Sequence, residues 1–312
     1  MDLNAIFHDR LTKLQAGDHL RGLQAVRLHI NAAISHHSRG RDGDATAFTD
    51  AIYRCNQAFE GSIKEAYRVL AGKDPSRTTP AKIETFLTEQ NLLRQRVLDQ
   101  FTNYRTGWRN ASAHDYTLDF DENEALLAIV SVTVFAIVLS DQIRAKLAVA
   151  VAERAAPHPQ TALPPNVQLD QEIERLVVEF VQGNSLPSMN ASDFEAELAG
   201  FLAAQFAATP GIEVHVGFRL NGREADIAVR RGDERIALEL KFMPYPTESR
   251  VHSGLAYLGE LLARGFTHGI LVALVAGERH VVATIAGASI GQSIRAIFSH
   301  SLTKSLVSGR FD

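Results

Sequence analysis

The sequence predicts a multidomain chain, in which an N-terminal all-α helical bundle precedes a C-terminal α/β domain with a mixed sheet. Apolar residues recur at helical spacing through the first 150 residues, whereas from Ile212 onward they alternate with a period of two, as in strands. Four prolines fall between these regions, within residues 153–166, which is the composition of a linker. We therefore expect a bundle over residues 1–152, a linker over 153–166 and an α/β domain over 167–312.

In the bundle, four segments with helical periodicity predict helices over residues 11–34, 48–70, 83–104 and 122–151. Turn-forming residues at 38–44 and 72–75 separate the first three. After the linker, residues 167–181 predict another helix. Ser192 is expected to cap the next one, with Glu195 three residues later completing a capping box.

The α/β domain continues with three predicted strands over 212–220, 223–230 and 235–242, joined by the two-residue turns Asn221-Gly222 and Gly232-Asp233. A helix over 249–265 and two further strands over 268–275 and 280–285 complete the predicted order α-βββ-α-ββ. The tight turns determine which residues face each other. The expected core face carries the rows Phe218–Ala225–Leu240, Val216–Ile227–Leu238 and Val214–Val229–Ile236.

The opposite face of these strands carries the row Gly217–Asp226–Glu239, with Lys241 next to it. Asp226 and Glu239 are thereby predicted to be cross-strand neighbours, with Cβ atoms about 5 Å apart. Two carboxylates at that distance repel unless a cation lies between them. The pattern predicts a Mg²⁺ or Mn²⁺ site with an adjacent ammonium, since hard cations prefer oxygen ligands. The alternative is a solvated strand face on which Glu224 and Lys241 form a surface ion pair.

Residues 224–227 and 236–241 resemble the D…ExK core of PD-(D/E)xK nucleases, with Ala225 where the family usually has proline. The resemblance covers about residues 190–285 and implies a restriction-endonuclease-like fold with magnesium-dependent phosphodiester hydrolysis. Asp226 and Glu239 would be metal ligands and Lys241 a catalytic residue. The family often adds a glutamate from the first helix, and both Glu195 and Glu197 qualify. Three further residues are expected to contact the nucleic acid, DNA being favoured and RNA possible: His215, Arg230 and Arg235.

A second motif lies in the bundle, where Arg109-Asn110 followed by His114 resembles the Arg-x4-His signature of HEPN domains. The resemblance covers residues 1 to about 150 and implies a metal-independent RNase site in a homodimer. His114 would act as acid and base, Arg109 would hold the phosphate and Asn110 would assist. The alternative is that Arg109 and His114 bond backbone carbonyls at a helix end.

The composition limits the remaining possibilities. With a net charge of −4, the chain does not fit a protein that binds nucleic acid by charge alone, which needs many Lys and Arg contacts to phosphate. The single cysteine, Cys55, excludes an internal disulfide and a cysteine-based zinc cluster. The start lacks a signal-peptide pattern, and the longest apolar run, 125–139, is short for a membrane span. We expect a soluble, cytoplasmic protein with no membrane contact.

Taken together, the motifs predict a metal-dependent nuclease whose HEPN-like domain dimerises or binds or cleaves RNA. The pairing of the two resembled families implies a role in prokaryotic defence against phage or plasmids. Two alternatives stay open. One is a metal-independent HEPN RNase toxin with a degenerate second domain. The other is a non-catalytic nucleic-acid-binding or scaffolding protein.

Overall fold

The computed structural model of the chain describes residues 2–90, 92–109, 119–155, 162–164, 166–183, 191–278, 280–289 and 292–307. The chain divides into two compact units, Met1–Leu147 and Ala148–Asp312. The first unit is helical and the second contains a mixed six-stranded sheet. The predicted combination of a helical N-terminal part and an α/β C-terminal part is confirmed at this level.

The helices of the first unit are more numerous than the sequence pattern predicts. They are α1 Leu3–Thr12, α2 Asp18–Arg41, α3 Thr46–Leu70, α4 Pro80–Glu89, α5 Gln95–Tyr104, a π-helical turn Arg105–Arg109, and α6 Glu122–Ala155, whose residues from Ala148 onward belong to the second unit. The predicted first helix ran through the break between α1 and α2, and the third ran through the break between α4 and α5. Both breaks were missed because Leu14 and Leu93 are buried there, so that apolar spacing continues through each turn.

Helix α6 supplies the apolar centre of the helical unit. Val132, Phe135, Leu139 and Ile143 are fully buried in one core cluster with side chains of the other helices. By length and composition, Glu122–Val151 could cross a membrane, with a mean hydropathy of 2.2, but 56% of its apolar window is buried inside the structure. This packing is that of a core helix, as the sequence pattern predicts.

In the second unit, helices cover both faces of the sheet. The elements are α7 Leu169–Gly183, α8 Ala191–Phe206, β1 Ile212–Leu220, β2 Arg223–Arg231, β3 Glu234–Met243, α9 Glu248–Ala263, β4 His268–Val275, β5 Val281–Ser289, β6 Gln292–Ser299 and α10 His300–Val307. The strand order is β1-β2-β3-β4-β6-β5; β3, β4 and β6 run parallel, and the other neighbours antiparallel. Helices α7 and α8 pack on one face and α9 and α10 on the other.

Two predicted details of this unit are wrong. The sequence pattern missed β6, whose Ala296, Ile297 and Phe298 are all buried. A strand covered on both faces loses the alternation that identifies a half-buried strand. Helix α8 begins at Ala191, so Ser192 lies inside its first turn rather than at the N-cap position.

The hairpin registers are confirmed. Val216 pairs with Ile227 and Ile227 with Leu238, as the two turns predict. Asn221 and Gly222 have φ values of +47° and +81°, the left-handed conformation that a type I′ turn requires at both positions.

The predicted division of faces holds for only part of the meander. Val216 and Ile227 pack in the cluster with α7 and α8, whereas Phe218 and Ala225 pack in the cluster with α9. Gly217 lies between the two sets with a φ of +66°, and the ladder skips Gly217 and its partner position Asp226. Both strands change face across this position. The row Phe218–Ala225–Leu240 therefore does not form, and Leu240 packs with α8 instead.

Candidate active site

The β2–β3 ladder ends one residue before the predicted carboxylate pair. Ile227 pairs with Leu238, and the pairing does not extend to Asp226 and Glu239. The Leu240 backbone N–H donates a hydrogen bond of 2.9 Å to Asp226 Oδ2. The predicted ladder pair is thus replaced by a side-chain bond, because the Asp226 carboxylate takes the position of a backbone acceptor. β2 and β3 therefore separate at Asp226 and Glu239, the two residues that the sequence predicts as metal ligands.

Glu239 and Lys241 come together at this separation. Lys241 Nζ lies 2.5 Å from Glu239 Oε1, while the Glu239 side chain is only 7% exposed. The alternative surface pair of Glu224 with Lys241 does not describe this contact, since Glu224 has Arg219 as an ion-pair partner at 3.5 Å. The predicted acid and ammonium therefore meet as a nearly buried ion pair.

The electrostatics of Glu239 are those of an acid that lacks sufficient positive charge. The pKa of Glu239 is raised to about 7, chiefly by burial and then by the charge of Asp226, while Lys241 opposes both effects. Two carboxylates sharing a weakly hydrated site hold one proton more readily than two isolated ones. Such a site attracts a cation, which would remove the repulsion.

Helix α8 supplies a third carboxylate nearby. Glu195 is buried, and its charge also raises the pKa of Glu239. Glu197, two residues further along the same helix, is exposed. Of the two glutamates that the sequence left open, the structure brings Glu195 near the site.

The residues present fit a magnesium or manganese ion held partly by its substrate. Within the described ranges, no group of three His, Cys, Asp or Glu side chains is close enough to hold a metal ion alone. Magnesium keeps several waters in proteins and is usually bound through one or two carboxylates plus substrate phosphates. Asp226 and Glu239 provide those two carboxylates, so their donor set suits an ion that completes its shell with water and phosphate.

Two residues of α9 shape the site without having been predicted. The Tyr257 hydroxyl donates to the Glu224 carbonyl at 2.9 Å and accepts from the Glu224 N–H at 3.4 Å. A Cβ added to Gly254 would lie 3.3 Å from Lys241 Cε, so this glycine leaves room for the lysine. The sequence carries no signal for either, because both depend on how α9 crosses β2 and β3.

The three residues expected to contact nucleic acid lie further along the meander. His215 Nε2 is 3.0 Å from Glu213 Oε2, and Arg230 Nη1 is 3.6 Å from the same oxygen. The hydrogen bond from His215 lowers the pKa of Glu213. Arg230 pairs with Arg235 across the ladder, four residues or about 13 Å from Asp226 along β2. Arg230 and Arg235 therefore lie along the meander from the carboxylates rather than beside them.

The HEPN-like motif lies mostly outside the described residues. The Arg109 backbone ends the π-helical turn Arg105–Arg109, while Asn110, His114 and the side chain of Arg109 are not described. The motif's predicted geometry therefore stays a prediction.

Comparison with known proteins adds no family. The chain matches no model of a protein family, and no curated protein sequence matches it.

Proposed function

We propose that the C-terminal unit is a metal-dependent nuclease that hydrolyses phosphodiester bonds, with DNA the favoured substrate. The observation that carries the proposal is the meeting of Asp226, Glu239 and Lys241 where β2 and β3 separate. An adjacent acid pair with an ammonium, flanked by helices on a mixed sheet, supports the PD-(D/E)xK resemblance. A solvated strand face does not account for a nearly buried glutamate with a raised pKa.

Asp226, Glu239 and Lys241 would have different roles in hydrolysis. Asp226 and Glu239 would hold Mg²⁺ or Mn²⁺, whose chemistry when bound is to neutralise the phosphate and lower the pKa of an attacking water. The Lys241 ammonium would stabilise negative charge that develops on the phosphate oxygens. Burial of Glu239 strengthens both interactions, because electrostatic attraction is larger where water is excluded.

The proposal is tested by cleavage of DNA with and without magnesium. We expect Asp226→Ala, Glu239→Ala and Lys241→Ala each to lower the rate by at least about 100-fold. Double variants should be little worse than the worst single variant, because the three groups act as a unit. Asp233→Asn, in the exposed turn of the same hairpin, is the matched control and should retain full activity. Full activity in Glu239→Ala, or cleavage that persists in EDTA, would contradict the assignment.

A second candidate function belongs to the helical unit. The π-helical turn that ends at Arg109 favours it, because such turns occur frequently at functional sites. We propose that this unit dimerises the chain and binds or cleaves RNA without a metal, as its HEPN resemblance implies. A role of the whole protein in defence against phage or plasmids follows from the same resemblance.

A further inference from the structure

The first half of β2 is held by α9 rather than by β3. Arg223 Nη2 lies 2.6 Å from Glu260 Oε2, and Asn221 Nδ2, in the turn before β2, donates at 2.8 Å to the carbonyl of Arg264, the residue after α9. The hydroxyl of Tyr257 bonds both backbone groups of Glu224. These contacts lie along one side of α9 and end two residues before Asp226.

The hydroxyl of Tyr257 makes two hydrogen bonds to the backbone of one β2 residue. In an antiparallel strand the N–H and C=O of one residue point to the same side, and both groups of Glu224 bond Tyr257. Glu224 lies beyond Ile227, the last residue of β2 that pairs with β3. One side-chain oxygen thus bonds both backbone groups of Glu224 in the part of β2 that does not pair with β3.

On the β3 side of the separation, a side chain also bonds a backbone group. The Leu240 N–H, on β3, donates to the Asp226 carboxylate instead of to a β2 carbonyl. Asp226 therefore lies between two fixed points on its own strand: Glu224, bonded by Tyr257, and Ile227, paired with Leu238. Burial raises the pKa of Tyr257, so the hydroxyl keeps the proton that it donates.

We infer that Tyr257 is a positioning residue for the carboxylate site: its hydroxyl bonds Glu224 where β2 no longer pairs with β3, and so holds Asp226 beside Glu239. The inference rests on the proposed function for its consequence in cleavage. The hydrogen bonds between Tyr257 and Glu224 can be tested without a cleavage assay.

The test compares Tyr257→Phe, which removes only the hydroxyl, with Tyr53→Phe, which removes an exposed hydroxyl in α3. Residue-resolved amide hydrogen exchange in the metal-free full chain is the first measurement. We expect exchange at Glu224 and Leu240 to rise by about fivefold in Tyr257→Phe, the factor that one net hydrogen bond contributes. Exchange in Tyr53→Phe should match the wild type at both amides.

The second measurement is the Mn²⁺ concentration that gives half-maximal cleavage of DNA. We expect it to rise several-fold in Tyr257→Phe while the KM for DNA stays unchanged, a split that general destabilisation does not produce. Unchanged exchange at both amides overturns the inference. Faster exchange with an unchanged Mn²⁺ requirement in an active enzyme overturns the positioning role. If the wild type neither responds to Mn²⁺ nor cleaves DNA, the proposed function fails, and the exchange result alone decides whether Tyr257 braces β2.

Discussion

Glu239 combines three properties that rarely occur together in one carboxylate: it is buried, it adjoins another acid, and it contacts a lysine. Burial and Asp226 both favour its protonated form, and the single ammonium of Lys241 offsets them only in part. At the residue scale, the site therefore has a deficit of positive charge, which makes its stability depend on pH and on added cations.

The pH dependence has a definite sign. The pKa of Glu239 is about 7 in the folded chain and 4.5 without the fold, so the folded chain holds the extra proton between these values. The stability that protonated Glu239 contributes to the folded chain is fully present below pH 4.5 and is lost as the pH rises through 7. In EDTA, the free energy of unfolding of the wild type should therefore fall relative to Glu239→Gln by about 1–3 kcal/mol across this window. Denaturant unfolding of both proteins from pH 4.5 to 8 measures it, and parallel curves would contradict it.

The repulsion between Asp226 and Glu239 gives another residue-scale prediction. Asp226→Asn removes one charge and leaves an oxygen that can accept the bond from the Leu240 N–H. We expect it to stabilise the metal-free protein by about 1 kcal/mol, seen as a higher melting temperature in EDTA. Magnesium should stabilise the wild type by mass action and the variant much less. If the two proteins melt alike in EDTA and respond equally to magnesium, Asp226 is not a metal ligand.

At the scale of elements, the site depends on a close approach between α9 and the sheet. A Cβ on Gly254 would lie 2.7 Å from Leu271 Cδ1 and 3.3 Å from Lys241 Cε. Leu271 is fully buried, so its side chain can yield only by disturbing the packing around it. Gly254 thus sets the distance at which the helix passes over the lysine.

The same helix provides a matched pair of variants. Gly259→Ala adds a methyl group with nothing within 4 Å and should gain about 0.5–1 kcal/mol from helix propensity. Gly254→Ala gains the same propensity but crowds Leu271 and Lys241, so we expect it to be less stable than Gly259→Ala by about 1–3 kcal/mol. Thermal melts compare the two, and a cleavage assay should show lower activity only in Gly254→Ala. Equal stability and activity would show that α9 has room to shift.

For the whole molecule, two candidate activities fall in separate compact units with different metal requirements. Under the proposed function the C-terminal site would need a cation between its carboxylates, whereas the HEPN resemblance implies a metal-independent reaction of His114 and Arg109, assisted by Asn110. Glu239→Gln alters one of these sites and His114→Ala the other. Their effects on the two activities should therefore be independent.

We expect Glu239→Gln to abolish magnesium-dependent DNA cleavage and to leave any EDTA-resistant RNase activity intact, while His114→Ala does the reverse. Assays of both variants on DNA and RNA, with magnesium or EDTA, measure the separation. The HEPN resemblance also predicts a homodimer, which light scattering at micromolar concentration checks. Loss of both activities in one variant would contradict independent sites, and a monomer would contradict the RNase role.

The sequence by itself determined the change from helices to strands, the two hairpin turns and the register between them. These are local properties, because Asn-Gly and Gly-Asp turns fix the pairing of the residues that flank them. It also identified Asp226, Glu239 and Lys241 as neighbours, since they lie only one to three residues from the confirmed pair Ile227–Leu238.

Only the tertiary structure decided how those neighbours are used. The separation of β2 from β3, the change of face at Gly217 and the choice of Glu195 over Glu197 depend on α8 and α9. Tyr257 and Gly254 act on residues distant in sequence, at 224 and 241. Local spacing carries no information about which helix crosses a strand, or at what distance, because packing between elements sets both.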